Sequence, residues 1–111
     1  MTTAVPEVVT RYFEADARRD IDALVALFTD DAVVIDEGKT RRGATEIRGW
    51  RTGAASEFEY TTEVIGVAAA DDEDRYLVTG RLDGNFPGGT AVLTFEFTVT
   101  GELISRLEIA P

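Results

Sequence analysis

Two hydrophobic periods divide this chain. Up to about Ser56 apolar residues recur every three or four positions; beyond it they alternate with polar ones. Val5, Val8, Val9 and Tyr12, with Phe13 beside them, mark a first helix. Pro6 suits its first turn, where the missing N–H is not needed, and Arg18 and Arg19 suit its negative end. Steps of about 100° per residue place Asp16 on the same stripe as Tyr12, one turn on, so an acid interrupts an apolar face. Asp20 is a good N-cap for a second helix, with Asp22 in its first turn and Ile21, Leu24, Val25, Leu27 and Phe28 on its apolar side. Thr29-Asp30-Asp31 stops that helix. Ala32-Val33-Val34-Ile35 is short and β-branched and predicts a strand ending on Asp36. Glu37 to Arg42 predicts a polar loop. Gly43 caps a third helix, with Glu46 three residues on, Ile47 and Trp50 on its buried side, and Gly53 and Ser56 at its end.

Four longer strands follow, over Phe58 to Val67, Arg75 to Leu82, Thr90 to Thr100 and Leu103 to Ile109. Their links are the acidic run Asp71-Asp72-Glu73-Asp74, the loop Gly84-Asn85-Phe86-Pro87-Gly88-Gly89 and the hairpin at Gly101-Glu102. The acidic run lacks the spacing and glycine of a calcium loop and predicts an exposed turn. In the strand from Thr90, Leu93, Phe95, Phe97 and Val99 point one way and Thr94, Glu96 and Thr98 the other, so one face of the sheet is buried. Helices first and antiparallel strands afterwards give an α+β fold. A long, curved antiparallel sheet wrapped around three N-terminal helices makes a cone with an open end, and small-molecule pockets favour such mouths.

Composition narrows the function. The 111 residues fit one domain, 1–111, with an ordinary balance of 44% hydrophobic and 29% charged residues. A net charge of −10 repels a phosphate backbone and an anionic membrane surface, so neither nucleic acid nor membrane is an expected partner. No apolar run approaches the roughly 20 residues of a membrane helix. The opening MTTAVPEVV has no basic segment followed by an apolar one, so no signal peptide is expected, and a cytoplasmic location follows by default. There is no cysteine and no histidine. That excludes disulfides, thiolate catalysis, Ser-His and Cys-His nucleophiles and thiolate- or imidazole-ligated metal; no metal site and no cofactor are expected. Proton transfer near neutral pH falls to carboxylates, tyrosine or arginine-assisted water. Lys39, Arg41, Arg42, Arg48 and Arg51 cluster within 13 positions and read as a solvated loop and helix face.

The chain resembles the nuclear-transport-factor-2-like superfamily, in its SnoaL-like and ketosteroid-isomerase-like branch, from about Val8 to the C-terminus. The marks are Tyr12-Phe13, Asp20-Ile21-Asp22-Ala23-Leu24, Phe28-Thr29-Asp30-Asp31-Ala32, Arg42-Gly43-Ala44 before Ile47 and Trp50, Gly84-Asn85-Phe86-Pro87-Gly88 and Thr94-Phe95-Glu96-Phe97. This fold hosts isomerases, dehydratases, epoxide hydrolases, cyclases and non-catalytic binders; dehydratases that need histidine are excluded by composition. The resemblance to ketosteroid isomerase puts its oxyanion-hole tyrosine on Tyr12 and its general-base aspartate on Asp36, at a separation of 24 residues. It departs from that enzyme where a protonated aspartate belongs on the inward face of the penultimate strand: Leu93, Phe95 and Phe97 stand there. Losing one oxyanion-hole donor costs about 10²–10³ in rate. Glu37 also replaces the proline after the base.

The resemblance thus implies a cofactor-free acid–base enzyme acting on a small apolar carbonyl compound, with SnoaL-like cyclase or hydrolase chemistry as its neighbour. Asp36 and Tyr12 are the candidate catalytic residues, with Asp16 as a second acid placed by helical spacing and not by the resemblance, and Phe13, Phe28, Trp50, Phe86 and Phe95 are the candidate substrate walls. Each has a plainer reading: a strand-end carboxylate for Asp36, a core tyrosine for Tyr12, a solvated or arginine-paired acid for Asp16, core packing for the aromatics. A non-catalytic small-molecule binding or accessory protein of the same fold is the alternative. A homodimer paired through the sheet is expected from the resemblance.

Overall fold

The computed structural model describes residues 5–57, 59–69 and 74–111, without the side chains of 54–57. Helix α1 (Glu7–Ala17) follows Pro6, whose φ of −57° suits helix entry, and buries Val8, Val9, Tyr12 and Ala15. Arg19, with φ of 55°, turns the chain, and the Asp20 side chain accepts the Ala23 N–H at 3.1 Å to start α2 (Ile21–Val25). Such a cap stabilises by about 1 kcal/mol.

The second helix is shorter than its apolar spacing predicts. Phe28 opens strand β1 (Phe28–Asp36) instead of closing α2. Over so few residues a helical and an extended stretch bury Phe28 equally well. What decides is the partner: Phe28 pairs with Ile104, whose N–H donates to the Leu27 carbonyl at 2.8 Å. Thr29 to Asp31 fall inside the strand, where the pairing register shifts between Phe28 and Val33. The predicted loop after Asp36 is also a strand, β2 (Lys39–Arg42). Glu37 and Gly38 have φ of 54° and 75°, the double positive φ of a two-residue type I′ hairpin, which returns β2 along β1 from the Asp36↔Lys39 pair.

Helix α3 (Gly43–Glu57) starts at a Gly43 with φ of 81°, and Glu46 reaches back to accept the Arg42 N–H at 2.8 Å. It runs past Gly53 and Ser56. Strands β3 (Tyr60–Ala69), β4 (Arg75–Gly84), β5 (Thr90–Thr100) and β6 (Leu103–Ala110) then form an antiparallel meander. Phe58 and residues 71–73 of the acidic run lie outside the described residues.

The six strands make one curved, open sheet in the order β2-β1-β6-β5-β4-β3. The sheet is mostly antiparallel, as expected, with one parallel pair, β1 and β6. The β2 hairpin occupies one edge of β1, which leaves the other edge for the last strand of the meander. Phe95, Phe97 and Val99 of β5 and Ile104, Leu107 and Ile109 of β6 face the helices, where Tyr12, Leu24 and Ile47 meet them at 1% exposure or less. The alternation read from β5 holds.

At the far end of β4, Gly84 sits where β3 begins. A Cβ there would lie 2.4 Å from the Glu59 carbonyl oxygen, so no larger residue fits without moving backbone. Asn85 locks the same junction by donating its N–H to Glu59 O at 3.0 Å and accepting the Glu59 N–H on its side chain at 2.9 Å. That junction positions the loop carrying Phe86 and Pro87.

Candidate functional site

One end of the sheet, at the close of β1, β4 and β6 and the start of β3 and β5, surrounds a cavity of about 370 Å³. Its apolar wall comes from Leu82, Phe86, Pro87, Ala91, Leu93, Phe95 and Ile109, with Thr62 beside them. Its polar residues are Tyr12 and Asp16 of α1, Asp36 and Glu37 at the end of β1, Arg51 of α3 and Tyr60 of β3. An apolar body with a few convergent polar groups is the usual form of a small-molecule site.

Arg51 is the centre of that polar group. It is 6% exposed, the one buried charged side chain among the described residues. Its Nε lies 3.2 Å from Asp16 Oδ1, an ion pair without the alignment of a hydrogen bond. Its Nη2 donates to the Tyr60 hydroxyl, and that hydroxyl donates to the Asp16 carboxylate, 3.2 and 3.1 Å from its two oxygens. The guanidinium also stacks over the Trp50 ring at 4.6 Å. Burial opposes the Arg51 charge, yet Tyr12, Asp16, Tyr60 and Asp36 around it outweigh that cost and its pKa rises. It is therefore a permanent cation. Burial, assisted by the charge of Asp16 and its hydrogen bond and opposed by Arg51 and Arg19, pushes the Tyr60 phenol up to about 12.

Asp36 ends β1 half-buried, and Trp50 Nε1 donates to its Oδ2 at 2.9 Å. Arg41 donates to the Asp36 carbonyl at 3.3 Å and holds the strand end. Tyr12 is 1% exposed. Burial raises its phenol pKa far above the ordinary value; Arg51 pulls it back, and Asp16, Tyr60 and Asp36 push it further up. Tyr12 is thus a neutral O–H donor at any physiological pH.

Of the residues predicted from sequence, Asp36, Tyr12, Asp16, Phe86 and Phe95 meet in this cavity. Trp50, Phe13 and Phe28 do not line it. Trp50 lies behind Asp36 as its hydrogen-bond donor. Phe28 is buried core, edge-on to Tyr12 at 6.2 Å. Phe13 packs edge-on to Tyr12 at 5.2 Å and to Phe95 at 5.1 Å and faces a separate groove. The one-residue step along α1 from Tyr12 to Phe13 turns the side chain out of the site. Arg51 and Tyr60 were missed. The signal for Arg51 was present: it follows Ile47 by four residues and Trp50 by one, so it lies on the buried stripe of α3, as Asp16 lies on that of α1. Tyr60 carried no signal beyond its place at the start of a strand.

The SnoaL-like domain family matches residues 9–107, and the chain belongs to it. Solved structures agree. A protein of Sinorhizobium meliloti named as a candidate polyketide cyclase is 39% identical, with 96% of this chain and 95% of that one covered and a TM-score of 0.89. The epoxide hydrolase/cyclase-like enzyme SalBIII, of pyran ring formation in the polyether salinomycin, is 25% identical over 93% of this chain and 86% of its own, with a TM-score of 0.80. A Catenulispora acidiphila protein with a ketosteroid isomerase-like fold, solved with trimethylamine, is 22% identical over 97% of this chain and 87% of that one, with a TM-score of 0.85, and shows the fold alone. Among curated proteins none matches.

Proposed function

We propose that this protein is a cofactor-free acid–base enzyme that enolises a small, largely apolar carbonyl compound, in ketosteroid-isomerase-like proton transfer or the cyclisation of a polyketide-like chain. The observation that carries the reading is the placement of Asp36 and Tyr12, a carboxylate and a permanently protonated phenol, in one mainly apolar cavity. Asp36 takes a proton from the carbon next to a carbonyl. The electron pair of the C–H bond moves into an enolate, whose oxygen accepts the Tyr12 O–H. Trp50 fixes Oδ2, so the proton goes to Oδ1. Asp36 then returns the proton to a carbon further along the conjugated system. In a cyclisation the enolate carbon bonds instead to a second carbonyl of the same molecule, and the alkoxide formed takes the proton from Asp36. The name of the 39%-identical relative favours the second course.

The test is the conversion of a panel of cyclic β,γ-enones to conjugated enones, followed by ultraviolet absorbance. Asp36→Asn keeps an acceptor for Trp50 but removes the base, so turnover falls by about 10²–10⁴-fold. Turnover unchanged in Asp36→Asn overturns the reading. A second reading, a non-catalytic binder, is favoured by Leu93 and Phe95 in the lining where the related isomerase has its second acid. It predicts no turnover by wild type and equal ligand affinity in Asp36→Asn. The homodimer belongs to the same proposal; Val92 on the outer face of β5 is 50% exposed, which suits pairing through the sheet.

A further inference from the structure

The cavity lacks the second oxyanion donor that its sequence relatives lead one to seek on β5, where Leu93 and Phe95 stand. A buried cation is present instead, and it costs several kcal/mol to desolvate unless it is paired. Asp16 neutralises Arg51, and Tyr60 closes the pair into a ring of three. Trp50 ties the group to Asp36, with its π-face on the guanidinium and its Nε1 on the carboxylate. Asp16 and Tyr12, one helical turn apart on α1, share the lining. Tyr12, Asp16, Asp36 and Tyr60 are therefore all within reach of one buried positive charge.

We propose that Arg51 is the second half of the oxyanion site: with Tyr12 it holds the two oxygens of an enolised 1,3-dicarbonyl group, the apolar remainder of the ligand lying against Leu93, Phe95 and Phe86. This rests on the acid–base reading above. Two arguments select the class. A carboxylate is a weak base, so acidified carbon suits it best, and carbon between two carbonyls is more acidic than that of an enone. Two donors in one cavity, a phenol and a guanidinium, match two oxygens of one substrate group. Tyr60 takes Arg51 Nη2 and Asp16 faces Nε, so Nη1 is the nitrogen the proposal assigns to the ligand. Charge is conserved in the step: Asp36 becomes neutral as the enolate becomes negative, and Arg51 faces both.

The test uses 4-nitrophenol as an enolate mimic, because its phenolate absorbs visible light, and 4-nitroanisole as the same ring without an ionisable oxygen. Wild type binds the phenolate in preference to the phenol and lowers the apparent pKa of the bound probe. The double variant Asp16→Asn/Arg51→Met removes both charges together, so no lone buried ion remains. It loses phenolate affinity by tenfold or more and holds the anisole within twofold. Equal phenolate affinity in wild type and the double variant overturns the proposal, as does a wild type that binds the anisole but shows no preference for phenolate. Should the double variant lose the anisole too, Arg51→Lys decides, since it keeps the charge opposite Asp16 but not the fork: a several-fold loss of phenolate with the anisole held supports the proposal, and no loss overturns it. Asp36→Asn separates this result from the functional reading. It keeps or gains phenolate affinity, because one like charge is gone, while enone turnover alone reports whether Asp36 is the base.

Discussion

Two cavities of nearly equal size lie on neighbouring stripes of one helix. Val8, Tyr12 and Asp16 of α1 form one stripe, whose last two residues line the cavity of about 370 Å³; Val9, Phe13 and Ala17 form the next, and all three line a groove of about 400 Å³ with Val5, Val64, Val67 and Val78. The groove's polar residues are Thr10 and Glu14. Volume does not distinguish the two. The first stripe ends in an acid that meets an arginine from α3 and a tyrosine from β3; the second stays apolar. The difference is that only the first cavity holds opposed charges together out of water, an arrangement whose desolvation cost the rest of the fold must offset.

That contrast can be broken by mutation. Arg51→Ala strips the first cavity of its cation and leaves the Asp16 carboxylate, 13% exposed, without its counter-charge. Removing one partner of a buried pair costs about 3–5 kcal/mol. A melting temperature lower by roughly 10 °C or more is the expected result in a domain of this size. A loss under about 1 kcal/mol would mean that water already screens the pair. Phe13→Ala attacks the groove. It removes edge contacts to Tyr12 and Phe95, and because the ring is only partly buried the cost is about 2 kcal/mol, below the full range for a core phenylalanine. Urea denaturation of that variant shows a lower midpoint but a stability–pH curve parallel to wild type, since no titrating group changes partner.

The same contrast explains what was legible in the sequence. Alternation over Thr90–Thr100 and the Asp20 cap rest on local chemistry, and both appear as read. So does the shared stripe of Tyr12 and Asp16, which is a property of helix geometry alone. The errors arise where a distant partner decides. Phe28 is strand because Ile104 pairs with it; Lys39–Arg42 is strand because β1 offers an open edge, and its Glu-Gly turn lacks the Asn or Asp that usually announces a type I′ hairpin. Arg51 looked like one more surface cation because five basic residues crowd 13 positions. Its spacing from Ile47 and Trp50 set it apart, and a charge on one buried stripe predicts the opposite charge on another: Asp16 and Arg51 are each other's explanation.

The finest difference between the two cavities is electrostatic, and it bears on stability at alkaline pH. The Tyr60 phenol is at about 12 in the folded protein, against about 10 in an unfolded chain. A raised pKa means the folded state holds the proton more tightly. The stabilisation is therefore complete below about pH 10 and disappears as pH rises through 12. Tyr12, raised further by burial, acts in the same direction. Tyr60→Phe removes the hydroxyl between Arg51 and Asp16 and costs about 1 kcal/mol at pH 8. Its curve falls less steeply from there, because it has lost one of the groups that must ionise. Urea midpoints taken between pH 8 and 11 should thus converge for wild type and variant as pH rises. Parallel curves would show that the Tyr60 hydroxyl faces water and not the Asp16 carboxylate, and the ring of three residues that marks this cavity off from its neighbour would be open.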